Sequence, residues 1–201
     1  MKEKIKVSVL VSGGGTNLQA LIDSVRDGSL PDVEIVSVIS SREDAFAIER
    51  AGAAGLKTLV LSKNNYPAES GYAEELLKAL GAVGTDLVVL AGYMLILHPD
   101  VIKKYSGKII NIHPSLIPKH CGKGYYGMRV HKAVIESGDK VSGATAHFVD
   151  EGVDTGEIIL QREVPILAGD DEYALAARVL KTEHIILPEA IRMVVGKMKE
   201  E

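Results

Sequence analysis

The chain has a single cysteine, Cys121. One thiol cannot form an internal disulfide, which points to a reducing compartment. There is no excess of positive charge. The formal net charge is −4, so nothing in the bulk electrostatics attracts nucleic acid or an anionic membrane. No apolar run approaches the roughly 18 residues of a membrane span. The N-terminus opens with a charged M-K-E-K and runs straight into a strand pattern, with no leader-like apolar region or cleavage site. Repeats, low-complexity tracts and interdomain linkers are also missing. These absences lead to the expectation of one cytoplasmic domain over residues 1–201, free of membrane and nucleic-acid partners.

What is present is strand–helix alternation. Ile5 to Val11 is a nearly continuous β-branched run, suited to a central strand buried on both faces. It stops at Ser12-Gly13-Gly14-Gly15-Thr16-Asn17. Leu18, Leu21, Ile22 and Val25 then follow at helical spacing, up to Gly28. Val33 to Ile39 predicts a second strand. Ser40 and Glu43 have capping-box spacing before an Ala-rich helix ending near Gly55. Leu56 to Leu61 predicts strand three, and Ser62 to Ser70 a polar connection. Ala73, Leu76, Leu77 and Leu80 mark a third helix closed by Gly81.

Asp86 to Gly92 predicts a fourth strand, Pro99 opens a short helix, and Lys108 to Ile112 is a fifth strand. His120 to Gly127 reads as an exposed, mobile loop. Val130, Ala133 and Val134 form one helix face ended by Gly138. Val141 to Val149 and Ile158 to Val164 predict two antiparallel neighbours. Asp170 or Asp171 caps a last helix, which Pro188 should kink or divide. The fold class is therefore α/β: an open, mostly parallel twisted sheet with helices on both faces and antiparallel strands near the C-terminal end. Ligands of such sheets bind beyond the carboxyl ends of the strands. Three segments fall there: Gly13 to Asn17, Tyr93 to Leu97, and Asn111 to Ser115.

The third segment, in N-I-H-P-S-L-I-P (Asn111 to Pro118), carries the most chemistry. Asn111 and His113 are two residues apart, so an extended backbone points both to one face. Pro114 keeps His113 extended. An amide donor beside an imidazole suits oxyanion stabilisation and proton transfer; a strand end with incidental polar groups is the plainer alternative.

The glycine loop offers backbone N–H groups at a helix N-terminus, which suits a phosphate. It lacks the third glycine of a dinucleotide fingerprint and the G-K-[ST] of a Walker loop. A monophosphate ester fits it better, with a tight strand-to-helix turn as the bland reading. Asp154 follows the strand bearing His147, and a carboxylate beside an imidazole raises the imidazole pKa. The histidines and Cys121 lack zinc-ligand spacing, so no metal is expected. The K-G-Y-Y-G run, Lys123 to Gly127, reads as a lid, a weak anion contact or a solvated loop.

S-G-G-G-T-N-L-Q (Ser12–Gln19), L-A-G-Y-M (Leu90–Met94), N-I-H-P-S-L-I-P, H-F-V-D-E-G-V-D-T-G (His147–Gly156) and T-E-H (Thr182–His184) occur in that order over nearly the whole chain. In these stretches the chain resembles the phosphoribosylglycinamide formyltransferases, the folate-dependent glycinamide ribonucleotide transformylases of purine biosynthesis. The resemblance implies that Gly15, Thr16 and Asn17 bind the substrate phosphate and ribose region and that Glu183 holds ribose hydroxyls. It implies that Met94, Leu95, Ile96 and Leu97 line the pterin pocket, largely through backbone groups, with Asn111 also touching the folate. Asn111, His113 and Asp154 would be catalytic, with Asp154 raising the His113 pKa and an ordered water able to carry the proton. The implied partners are two small molecules, glycinamide ribonucleotide and 10-formyltetrahydrofolate as formyl donor, acting on a monomer or homodimer.

Two residues depart from the family pattern. Leu95 stands where an Arg often follows the Met, and Glu69 where an Arg often holds the folate. Both weaken attraction to a polyglutamate tail, for which Lys119 or Lys123 could supply replacement contacts. Within the family, a methionyl-tRNA formyltransferase would need a further tRNA-binding domain and a basic surface. The alternatives that stay open are a formyltetrahydrofolate hydrolase and a non-catalytic nucleotide-binding module.

Overall fold

The computed structural model describes residues 3–200. Met1, Lys2 and Glu201, the ends of the expected single domain and the start of the M-K-E-K stretch, lie outside the described residues. Seven strands form one sheet: β1 (Ile5–Val11), β2 (Val33–Ser40), β3 (Thr58–Val60), β4 (Leu87–Leu90), β5 (Ile109–His113), β6 (Val141–Phe148) and β7 (Ile158–Pro165). Their order is β3-β2-β1-β4-β5-β6-β7. The first five run parallel, and β6 and β7 are antiparallel to their neighbours, as the sequence pattern predicts. The strand order reverses direction between β1 and β4, so a crevice opens beyond their carboxyl ends.

Helices cover both faces. Val7, Val9 and Val11 alternate onto one side of β1. There they pack with α1 (Thr16–Arg26), α2 (Ala47–Ala53), α5 (Met128–Ser137) and α6 (Glu172–Met198). Leu10, Val88, Leu90 and Ile109 face the other side, against α3 (Glu69–Ala82) and α4 (Pro99–Lys104).

Four local expectations need correction. The Ser40–Glu43 pair caps no helix: α2 begins at Ala47, after Phe46. Ser40 is still in β2, where its Oγ closes a turn by accepting from Arg42 N–H and donating to Arg42 O. The third helix runs through Gly81 and ends at Ala82. Its stop is Gly84, at φ 65°, with Thr85 N–H returning to Leu80 O. Glu69 opens α3 rather than lying before it, and pairs with Lys63 at 2.6 Å.

Pro188 does not divide the last helix, which is continuous from Glu172 to Met198. An interior proline costs about 3 kcal/mol. Around it Ile186, Leu187, Ala190 and Ile191 are fully buried, each large one contributing roughly 1.5–3 kcal/mol. Packing on the sheet therefore outweighs the lost hydrogen bond.

Gly143 in β6 lets the loop after β5 lie close. A Cβ there would stand 2.3 Å from Arg162 O and 2.4 Å from Leu116 Cδ2. The first neighbour is backbone of the paired strand and cannot yield. Gly143→Ala is expected to destabilise the fold by about 1–3 kcal/mol, read as a lower denaturation midpoint with an unchanged m-value.

Candidate active site

Beyond the carboxyl ends of β1, β4 and β5 lies a cavity of about 930 Å³. Its lining includes Gly14, Thr16, Asn17 and Glu183, then Met94 to Leu97, then Asn111, His113, His147 and Asp154. All three segments expected at strand ends therefore meet in one space.

At one end is the start of α1. Gly15 is its N-cap, in the left-handed region at φ 71°, with no side chain capping the helix. The first-turn amides are left for a ligand. Gly15 itself is not among the lining residues; Gly14 is. A Cβ on Gly15 would meet Ala47 Cβ at 2.6 Å, so glycine is required there by both space and conformation. Asn17 Nδ2 donates to Glu183 Oε2 at 2.6 Å across 166 residues. Among the described residues, Asn17 Oδ1 has no hydrogen-bond partner. Burial pushes the Glu183 carboxyl above its ordinary pKa, and the Asn17 hydrogen bond only partly offsets this.

The β4 exit forms the other end. Met94 N–H donates to Ser12 Oγ at 2.9 Å, and Ser12 Oγ is 2.6 Å from Ser41 Oγ. This ties the apolar loop to the glycine loop. Leu97 is buried whereas Ile96 is 70% exposed, so the loop has a core-anchored end and an open rim. Leu95 lines the cavity, while Glu69 is occupied by Lys63 and does not line it.

The polar group lines the same cavity. Asn111 and His113 share the face that carries Ile109, as their spacing requires. Asn111 is the register partner of His147 on β6. His147 Nδ1–H donates to Phe148 O at 2.7 Å, which leaves Nε2 to accept from Asn111 Nδ2 at 3.1 Å. The amide nitrogen thus keeps a second hydrogen, with Asp154 Oδ1 3.5 Å away. Asp154 adopts φ 59°. Its Oδ2 accepts Gly122 N–H at 2.9 Å and stands 3.5 Å from His113 Nδ1. His113 Nε2–H donates to His120 O at 3.0 Å.

Asp154 therefore does reach His113, which spacing alone left open. The pKa outcome differs from expectation. Burial is the largest influence on His113 and lowers its pKa below the ordinary 6.5. The Asp154 charge and the His120 carbonyl push upward without overcoming it. For Asp154 the balance is opposite. Burial raises its carboxyl, but His147, the His113 charge and the Gly122 N–H together hold it below the ordinary value.

The loop after β5 is more than a solvated connection. Gly122 to Met128 line the cavity, and its backbone touches both His113 and Asp154. Lys123 lines the cavity, whereas Lys119 is engaged by Asp139 at 2.9 Å. Two further histidines line the cavity: His147, which the sequence set beside Asp154 without placing it against Asn111, and His131, which it did not single out as a site residue. His147 was discoverable from the antiparallel register once β5 and β6 were paired. His131 carried no signal beyond its place on a helix; burial lowers its pKa to about 4. Among the described residues, no group of three or more His, Cys, Asp or Glu is arranged to hold a metal ion.

An anion-suited helix start, a buried amide–carboxylate pair, an apolar loop and an Asn–His–Asp cluster thus share one α/β crevice. A formyl transferase family model matches residues 5–191. The phosphoribosylglycinamide formyltransferase of Escherichia coli is 40% identical over 187 residues, covering 93% of this chain and 85% of that protein. The trifunctional purine biosynthetic protein adenosine-3 of Drosophila melanogaster is 45% identical over 192 residues, covering 95% of this chain. The chain spans only 14% of the length of that relative. Glycinamide ribonucleotide transformylase 1 from Symbiobacterium toebii superposes with a TM-score of 0.92 at 42% identity, over 98% of this chain and 90% of that one. The chain belongs to the formyl transferase family.

Folding raises the Glu183 pKa above 4.5, so its ionised form works against the fold at higher pH. Glu183→Gln keeps an acceptor for Asn17. It is expected to melt above wild type at pH 7, the gap closing as pH falls below the ordinary carboxyl value. Thermal melts across that range check this; equal melting at pH 7 would contradict the assignment.

Proposed function

We propose that this chain transfers the formyl group of 10-formyltetrahydrofolate to the amine of glycinamide ribonucleotide, giving formylglycinamide ribonucleotide and tetrahydrofolate in purine biosynthesis. The observation that carries this reading is the single cavity in which an anion-binding helix start and an apolar loop flank Asn111, His113 and Asp154. The named relatives are consistent with it.

The ribonucleotide end fits the glycine loop. Gly15 shapes the turn, and the amides at Gly14 and Thr16 face the phosphate. Asn17 and Glu183 meet the ribose hydroxyls, for which the partnerless Asn17 Oδ1 is a ready acceptor. Met94, Leu95, Ile96 and Leu97 take the flat pterin through apolar contact and backbone groups, and Asn111 borders the same ligand.

The donor supplies an electrophilic formyl carbon on a nitrogen leaving group. The ribonucleotide amine forms a bond to that carbon, and negative charge moves onto the formyl oxygen. Asn111 shifts its second amide hydrogen from the long 3.5 Å contact with Asp154 Oδ1 to this oxygen, while His147 fixes the amide's orientation. His113, with its pKa held down by burial, is neutral at rest near pH 7. It gains the proton the amine sheds, directly or through a water, and the new charge faces both Asp154 and the developing oxyanion. The same proton then passes to the departing folate nitrogen as the carbon–nitrogen bond to it breaks. Atoms balance without any further reactant. We also propose that the chain acts as one domain, a monomer or homodimer, in the cytoplasm.

Assay of formyl transfer tests this directly. Asn111→Ala and His113→Ala are each expected to lower kcat by about 10²–10³-fold with modest changes in KM. A wild-type protein that turns over no ribonucleotide, or that only hydrolyses the donor, would overturn the reading.

Asp154→Asn removes an influence that raises the His113 pKa. The histidine's titration is expected to move to lower pH, together with the limb of the kcat/KM profile that reports it. An unmoved profile would contradict the pairing.

A further inference from the structure

His113 is gripped on two sides, and the Asp154 side is only half of its support. The other is the carbonyl of His120, 3.0 Å from Nε2. His120 is one of two non-glycine residues with positive φ among the described residues, at 51°; the other is Asp154. A left-handed conformation costs a side-chain-bearing residue about 1–2 kcal/mol, so it persists only where the surroundings hold it. Here the holder is visible. His120 Nε2–H donates to Asp139 Oδ2 at 2.8 Å, and Lys119 Nζ donates to Asp139 Oδ1 at 2.9 Å. Asp139 immediately follows Gly138, the C-cap of α5, so it is anchored to a helix end. Its carboxyl is held far below the usual range by His120 first, then by Lys119 and Ser137. Ser115 Oγ also donates to Lys119 O at 2.7 Å and approaches His120 O at 3.2 Å.

We propose that His120 is a positioning residue for His113: the Asp139 carboxylate holds the His120 side chain, and this grip keeps the His120 backbone in the left-handed turn that aims its carbonyl at His113 Nε2. The carbonyl fixes the proton on Nε2 and leaves Nδ1 facing Asp154, where the transferred proton is received. The imidazole is thereby held between two acceptors that favour its charged form against burial. The charged and titratable groups facing His113 are Asp154, His147 and His131. Those facing His120 are Asp139, with Lys119 on its other oxygen, and Tyr125, whose ring meets the imidazole edge-on at 6.2 Å between centroids. The kinetic consequence rests on the formyl-transfer reading; the structural consequence does not.

The test is a histidine NMR titration of the full chain, run beside formyl-transfer kinetics, on Asp139→Ala, His120→Gly, His120→Asn and Lys119→Ala. Asp139→Ala removes the grip and His120→Gly removes the side chain it holds. In both, the His113 midpoint is expected to fall by about half a pH unit or more, and kcat roughly tenfold, with both KM values within about twofold. His120→Asn tolerates positive φ but its amide ends near the Nδ1 position, short of the reach of Nε2 to Asp139, so it should lose midpoint and kcat as His120→Gly does. Lys119→Ala breaks only the outer bond and should also match wild type. A His113 midpoint and kcat unchanged in Asp139→Ala would overturn the proposal, as would an equal loss in Lys119→Ala. Should Asp139→Ala fail to fold, His120→Gly decides by the same criteria. A wild type without formyl transfer would sink the functional reading alone, and the NMR midpoint would still decide the grip.

Discussion

One buried carboxylate organises the reacting end of this molecule. The Asp154 side chain is 11% exposed and is surrounded by His113, His147, the Asn111 amide and the Gly122 N–H. An isolated carboxylate so enclosed would tend to take up a proton. Asp154 stays acidic because its neighbours are donors or positively charged forms in waiting. That requirement explains much of the local backbone. Asp154 sits at φ 59°, a conformation that aspartate tolerates better than most residues. The loop after β5 folds back far enough to give it the Gly122 amide. The antiparallel β6 brings His147 opposite Asn111, so the amide is held by the strand pair and not by a loop.

The sheet determines where this group stands relative to the glycine loop and the apolar loop. Reversal of strand order between β1 and β4 opens the crevice. The glycine loop and the apolar loop leave adjacent strands, so they are neighbours at one rim of the sheet. The Met94–Ser12–Ser41 hydrogen bonds fix their separation. β5 flanks β4 on the side away from β1, and its last residues line the same cavity as the two loops. The proposed reaction joins two small molecules, and proximity and orientation carry a large part of the rate advantage of such reactions.

Much of this was legible in the sequence, and the failures have identifiable causes. Buried strands announced themselves through β-branched runs, and β1 and β6 differ little from expectation. The Ser40–Glu43 spacing misled because a serine that ends a strand and a serine that caps a helix offer the same hydroxyl. Pro188 misled because a tertiary interface can outweigh a local penalty. Within the site, Asn111 and His113 were readable because period-two geometry fixes their common face. Asp154 was visible only as a residue type; its reach to His113 depends on a loop conformation that no spacing encodes. His147 needed strand register, and the support of His113 by His120 and Asp139 needed three-dimensional contacts. The direction of the His113 shift also lay beyond the sequence, since burial, which cannot be read from neighbours in the chain, dominates the effect of Asp154.

The central claim is direct passage of one carbon unit between two ligands held in one cavity. The measurement that tests it most directly follows isotope-labelled formyl donor in a single turnover with glycinamide ribonucleotide and excess protein. The label is expected to move to the ribonucleotide amine in a one-to-one ratio with tetrahydrofolate formed. Label recovered as free formate, with the ribonucleotide unmodified, would contradict it.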